Sequence, residues 1–447
     1  MVMTTFTIDR GTEQRMKAYL DGVAEILGNK RRKESFAMYA MGLMGDGERK
    51  SAEPIAARAC GDPDLADAYH QRLTHFLCDS PWDDADVRRF CARYALKEMT
   101  RREPVQAWII DDTGFLTQGK HSPGVQRQYT GSAGKVTNCQ VAASLSITTR
   151  SEHVPVDFEL YLPESWANDS ARREEAHIPD EVTFKKKPRL AIEMIRRAID
   201  DGLPRGVVLA DSAYGDSSAF RRELRELGLD YAVEVHSPTT VWRLTTSGRL
   251  RGDPMSVMDV GHHMGLRFRK ATWREGTKGK MSSWFASCRV RVVKHKAGGA
   301  DDEELCLLME RPAGEVAPTK FWLATLPKQM SRKSLVRLVK ERYRTERVYE
   351  DLKGELGLDH FEGRTFRGWH HHVSAVLCCF AFIVAEKARR FFPRSRLQEL
   401  GLQERLQKAD GPHQRATGAP LPRLLHHRAP RLRADHRHVA PALSLLP

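Results

Sequence analysis

Apolar residues recur at helical spacing through the first hundred positions. Met16, Tyr19, Leu20, Val23, Ile26 and Leu27 share one helix face, and Leu65, Ala68, Tyr69, Leu73 and Phe76 share another. The texture changes at Val105. Residues 105–110 form a short apolar run that stops at Asp111-Asp112-Thr113-Gly114, which reads as a strand ending in aspartate. A polar, Gly-rich loop is expected from 119 to 134. Strands at 139–147 and 154–162 then complete an antiparallel meander. The helical period returns in Leu190, Ala191, Met194, Ile195 and Ala198, with Pro188 suited to a first turn and Gly202 to a stop. Residues 207–210 read as a buried strand followed at once by Asp211. Ser217 suits the cap of a helix that stops at Gly228, and 231–235 is a further strand. Such alternation predicts an α/β unit with a mixed sheet.

Beyond it the pattern predicts short strands at 241–244, 265–269, 290–293, 305–308 and 321–324. One long amphipathic helix is expected over 331–354, on Leu335, Leu338, Val339, Tyr343, Val348 and Leu352, and a core helix over 369–391. The expected organisation is a basic helical domain at 1–103, the first part of a catalytic core at 104–237, a β-rich insertion at 238–330, C-terminal core helices at 331–392 and a basic tail at 393–447. From Gly411 onward the chain lacks Ile, Phe, Tyr, Trp, Glu, Lys and Asn and shows neither period. That composition suits a disordered tail, and better a segment read out of frame.

Charge narrows the partner. Lys and Arg number 72 against 58 Asp and Glu, a net +14, which favours a polyanion, nucleic acid first. Lys30-Arg31-Arg32-Lys33, Arg88-Arg89 and Arg101-Arg102 are either DNA grips or solvated faces. No run approaches the ~18 consecutive apolar residues of a membrane span, and residues 1–9 show no charged-then-apolar signal pattern. Eight cysteines never form a C-x-x-C pair, so a zinc ribbon or disulfide framework is not expected and a reducing cytoplasm is. No G-x-x-x-x-G-K-[ST] loop is present, so no nucleotide cofactor is expected. His370-His371-His372 point in different directions on a helix and are not expected to share an ion.

The chemistry rests on carboxylates. Asp111 and Asp211 end strands that can lie side by side, where two negative charges repel unless a cation joins them. Oxygen ligands with open positions suit Mg²⁺, and a third carboxylate from a helix completes a two-ion site. Glu346 is the candidate. Arg342, Glu346 and Glu350 lie four apart on one face, and Lys353 returns to the side of Glu346.

With those acids in order, the chain resembles the DDE transposases of bacterial insertion sequences, in the branch with a β-rich insertion before the Glu. The resemblance is carried by Ile110-Asp111-Asp112-Thr113-Gly114-Phe115, Gly119-Lys120-His121-Ser122, Arg127-Gln128-Tyr129, Gly134-Lys135-Val136 and Asn138-Cys139-Gln140. It continues in Leu160-Tyr161-Leu162-Pro163-Glu164-Ser165-Trp166, Ala210-Asp211-Ser212-Ala213-Tyr214-Gly215, Trp273-Arg274-Glu275-Gly276-Thr277-Lys278-Gly279, and Leu352 through Arg364. The matches cover roughly 60–390. The family's Arg-x3-Glu-x6-Lys spacing fits Arg342, Glu346 and Lys353, while its preceding Tyr falls on Val339, with Tyr343 as a replacement.

The resemblance implies a ribonuclease H-like core of mixed sheet with a β-rich insertion, behind a helical N-terminal domain. It implies a transposase that cuts DNA at insertion-sequence ends and joins the 3′-hydroxyl to target DNA. The implied cofactor is two Mg²⁺, or Mn²⁺ in their place, held by Asp111, Asp211 and Glu346, with Asp112 as the alternative to Asp111. Arg342, Lys353, Lys278 and Lys280 are implied DNA contacts, with Lys185-Lys186-Lys187 as further candidates. A homodimer on paired double-stranded ends, in the cytoplasm at the nucleoid and away from membranes, follows from the same likeness. The alternatives are a ribonuclease H-like nuclease without strand transfer, or an inactive DNA-binding remnant.

Overall fold

The computed structural model describes residues 9–276, 279–294, 299–327 and 329–390. The tail expected at 393–447 and Lys278 lie outside the described residues.

Asp9 accepts from the Thr12 amide at 2.8 Å and opens α1 (Arg10–Leu27), which stops at Gly28 with φ +68°. Asn29 caps α2 (Lys30–Met44). Then come α3 (Ala52–Ala59), α4 (Ala66–Cys78) and α5 (Asp84–Met99), the last opened by the Asp83 carboxylate. The apolar face expected of α1 is the buried one, through Met16, Tyr19, Val23 and Leu27.

The sheet begins with β1 (Ala107–Leu116), β2 (Gln126–Thr130), β3 (Lys135–Thr148) and β4 (His153–Leu160). Helices α6 (Glu164–Ala167), α7 (Ser170–Glu175) and α8 (Lys187–Asp200) precede β5 (Val207–Ala210), α9 (Ser212–Gly215), α10 (Ser218–Glu226) and β6 (Tyr231–Val235). Next come β7 (Thr240–Leu244), β8 (Leu250–Ser256), α11 (Val257–Met264), β9 (Arg269–Gly276), β10 (Gly279–Val292), β11 (Leu305–Arg311) and β12 (Lys320–Ala324). The chain closes with α12 (Arg332–Val339), a 3-10 turn at Lys340–Arg342, α13 (Tyr343–Leu356) and α14 (Phe366–Arg390).

Twelve strands among the described residues form one mixed sheet, ordered β2-β3-β1-β5-β6-β12-β11-β10-β7-β8, with β4 also on β3 and β9 also on β10. Strands β1, β5 and β6 run parallel, and β12 joins β6 antiparallel. The ribonuclease H-like α/β class with a helical N-terminal part is borne out. The β-rich segment is continuous with the catalytic sheet: β12, β11 and β10 extend its edge.

Four expectations change. The first strand does not stop at Asp111 but runs to Leu116, because Asp111 through Leu116 pair in register with Ser144 back to Cys139. Backbone pairing sustains a strand through a polar stretch that side-chain pattern alone ends. The loop at 119–134 contains β2, which forms a hairpin with the start of β3. The strand expected at 265–269 is a 3-10 turn at its start, preceded by α11, whose Ser256 cap accepts from the Asp259 amide at 3.1 Å. The long helix at 331–354 is two helices, broken where the 3-10 turn carries Arg342.

The N-terminal helices are not a separate body. They share one apolar cluster with the sheet and with α14, which packs against α5, α2 and α4. Helix α14 is long and apolar enough to cross a membrane, yet 89% of its most apolar window is buried in the protein, as in a core helix. Its three histidines face three ways. His371 stacks on Trp82 and meets the Leu77 and Trp82 carbonyls, His372 meets Tyr39 Oη, and His370 meets the Phe366 carbonyl.

One ion-pair cluster ties these layers. Arg88 on α5 is buried; it donates to Asp84 and to Ser374 Oγ on α14 at 2.7 Å, and lies 3.1 Å from Asp157 on β4. Arg197 on α8 donates to Asp157 and Glu159 at 2.9 Å each. Arg88 is therefore internal, while Arg89, its side chain 39% exposed, pairs with Asp86 and Asp201. Replacing Arg88 with Ala strands buried carboxylates, and a loss of about 3–5 kcal/mol is expected, read as a lower urea midpoint. Burial alone would raise the Asp84 and Glu159 carboxyls, but Arg88 beside Asp84, and His370 and Arg197 beside Glu159, hold both at about 2. Folded values below the unfolded ones contribute stability above the ordinary carboxylate range, near 4. Melting temperatures measured from pH 7 downward should therefore hold to about pH 5 and fall steeply as pH approaches 2.

Candidate active site

The parallel register pairs Ile109 with Leu209. Two residues further along both chains stand Asp111 and Asp211, which alternation places on the same sheet face as Ile109 and Leu209. Those two pack with Leu335, Val336 and Val339 of α12, so the face carrying the aspartates is the one α12 covers. Ser144 lies directly opposite Asp111 and accepts or donates at 2.6 Å to Tyr349 Oη, which brings α13 over the same face.

Asp112 points the other way, where α8 begins. Lys187 Nζ and Tyr214 Oη both donate to its carboxylate. Burial raises the Asp112 carboxyl, with Lys187 opposing. Of the two adjacent aspartates, Asp111 is thus the one that shares a face with Asp211, and Asp112 is held by an ion pair and a phenol beneath.

Asp111 is buried, and Arg342 Nη1 donates to its Oδ2 at 2.7 Å. Burial pushes its carboxyl up to about 7, with Arg342 opposing and the nearby Asp211 adding to the rise. Asp211 leaves β5 and accepts from the Ala213 amide at 3.0 Å. Burial would lower the Arg342 guanidinium, but Asp111, Asp211, Glu234 and Glu346 raise it. Glu346 is exposed, one helical turn beyond Arg342. Arg342 is thus hydrogen-bonded to Asp111 and lies within the electrostatic influence of Asp211 and Glu346. Among the described residues no three His, Cys, Asp or Glu side chains stand close enough to cage a metal. The donor chemistry nevertheless fits a hard divalent cation: Asp111 and Asp211 supply oxygen ligands on one face, and their mutual repulsion is what such an ion relieves.

The turn carrying Arg342 is itself fixed. Lys340 Nζ sits 4.6 Å from the Trp273 ring centre, 5.4 Å from Trp322 and 5.7 Å from Phe285, and donates to Glu310 at 2.5 Å. Arg274 lies 4.6 Å over the Tyr343 ring. Strands β9, β10, β11 and β12 thus grip Lys340, two residues before Arg342, and Tyr343, the residue after it. Lys353 donates to the Gly114 carbonyl at 2.6 Å and to Ser132 Oγ at 3.3 Å. Lys280 is exposed, 4.0 Å from Glu275 across its hairpin.

Sequence reading missed Tyr349 and Lys340, and missed Asp112 as the partner of Lys187 and Tyr214. Tyr214 lay within the Ala210–Gly215 match, but nothing there named Asp112 as its partner. Lys187 read as a DNA contact because its partner is 75 positions away. Its neighbour Lys185 is also taken, by Glu193 at 2.9 Å.

Gly114 is required by close approach. A Cβ there would lie 1.9 Å from Thr130 Oγ1 and 2.7 Å from Thr130 Cβ. Gly114→Ala should displace the β2–β3 turn and speed limited proteolysis within 130–134, and Thr130→Gly in the same chain should restore resistance.

A family model described as DDE superfamily endonuclease matches residues 22–280, and one described as transposase DDE domain matches 182–382. The first spans Asp111 and Asp211, the second Asp211 and Glu346. Over 205 residues the chain is 32% identical to a protein of Microchaete diplosiphon named "Probable transposase for insertion sequence element IS701". The aligned part is 46% of this chain and 49% of that protein, so the chain spans about half the length of the curated relative it matches.

Proposed function

The chain belongs to the DDE superfamily of endonucleases, and from that premise we propose that it is an insertion-sequence transposase, cutting DNA at the element's ends and joining the freed 3′-hydroxyl to target DNA. The observation that carries the reading is the pair of aspartates on β1 and at the end of the adjacent parallel β5, with the turn bearing Arg342 and the helix bearing Glu346 over them. Asp111, Asp211 and Glu346 would hold two divalent ions, Mg²⁺ or Mn²⁺, whose chemistry at a phosphodiester is to activate the attacking oxygen and neutralise the leaving one.

The chain's own side chains do the rest. Arg342, now on Asp111, is free to turn its guanidinium to a non-bridging phosphate oxygen once Asp111 takes another cation, because its pairing is single rather than forked. Lys353 stands beside the same strand and Lys280 on an exposed hairpin, both suited to backbone phosphates. Asp112, clamped by Lys187 and Tyr214, holds β1 so that Asp111 keeps its register. In the first step water attacks the phosphorus, the P–O3′ bond breaks and the 3′-oxygen leaves with a proton. In the second that hydroxyl attacks a target phosphodiester and displaces its 3′-oxygen. The double-stranded partner, a homodimer on paired ends and a place at the nucleoid belong to the same reading.

The test uses the full chain with duplexes carrying the DNA that flanks its gene, in Mg²⁺ and in Ca²⁺. Cleavage and joined products are expected in Mg²⁺; cleavage without joining would instead mark a nuclease, and binding alone an inactive remnant. Asp111→Asn, Asp211→Asn and Glu346→Gln should each cut activity more than ~100-fold while DNA binding persists. Asp112→Asn should act on stability instead, lowering the melting temperature while cleavage per folded molecule stays within about tenfold.

A further inference from the structure

The β2–β3 hairpin exposes an aromatic residue where folding gives it no use. Tyr129 is 65% exposed and Val136, directly opposite in register, 54%. Alternation puts Arg127 on that same face, while Lys135, at the next register position, falls on the opposite one. Among the described residues Arg127 has no carboxylate partner, and it is exposed. The turn is seated beside the aspartates: Ser132 Oγ accepts from the Gly114 amide at 3.2 Å and from Lys353 at 3.3 Å, three residues along β1 from Asp111.

Resting on the reading of a DNA-end enzyme, we propose that this hairpin is a stacking platform: Tyr129 receives the face of an unpaired base at the DNA end, with Val136 beneath its edge and Arg127 on the adjoining phosphate. An exposed ring beside an unpaired cation is the arrangement that binds single-stranded nucleic acid, since every base offers a π-face and a phosphate. The apolar pair is far smaller than the ~800 Å² per partner of a stable protein interface, so a protein occupant is disfavoured. The Arg-Gln-Tyr stretch at 127–129, unexplained by carboxylate chemistry, thereby acquires a role.

The experiment is fluorescence anisotropy of the full chain, in Ca²⁺, with a duplex whose end is splayed and a blunt duplex of equal length. The wild type is expected to bind the splayed end more tightly. Tyr129→Ala should remove that preference, about a tenfold loss on the splayed duplex with little change on the blunt one. Tyr129→Phe and Tyr129→Trp should keep it, and Arg127→Gln should weaken both duplexes alike. A wild type with no preference, or a Tyr129→Ala chain that retains it, overturns the platform while leaving the DNA reading intact. A wild type that binds neither duplex removes the DNA reading as well.

Discussion

Two carboxylates of like charge on neighbouring strands, facing the same way, are the constraint around which the molecule is arranged. Asp111 and Asp211 hold that position only with a cation nearby, and here Arg342 provides it. The guanidinium must arrive from outside the sheet, so the chain leaves β12, an interior strand beside β6, crosses back over the face and breaks its helix at that point. The 3-10 turn at Lys340–Arg342 makes the break, and mid-helix turns of this kind often mark hinges. Lys340 in its ring of Trp273, Trp322 and Phe285 holds the turn from one side, and Tyr349 on Ser144 holds the following helix from the other.

This explains why the β-rich segment is hydrogen-bonded into the catalytic sheet. The three rings around Lys340 come from β9, β10 and β12. The segment is thus part of the support for Arg342, in addition to whatever surface it offers to DNA. The helical N-terminal part is likewise bound in, through the Arg88 cluster and α14. A deformation at either end is therefore felt at the aspartates through packed side chains, since interiors are dense and transmit strain.

Much of this was legible in the sequence. The periodicity of α1, α8 and α14, the strand before Asp211 and the order of the three acids all follow from local pattern. The extent of β1 did not, because Asp112-Thr113-Gly114 lacks an apolar rhythm and owes its strand form to β3. The break at Lys340 was hidden because the apolar positions keep a helical spacing across it. Arg88 and Lys187 looked like surface charge, and only the fold brings Asp157 to one and Asp112 to the other. Resemblance favoured Asp111 over Asp112, and alternation allowed only one of the pair to face the site; in the fold Arg342 meets the one, and Lys187 and Tyr214 meet the other.

Helix α14 sets a timetable for synthesis. It lies at residues 366–390, yet the apolar faces of α1, α2, α4 and α5 close against it. As the chain leaves the ribosome, those early helices emerge long before their partner and wait with oily surfaces uncovered. The newborn polypeptide is therefore a natural client for chaperones. A message cut short before α14 would yield an aggregation-prone product rather than a smaller working one.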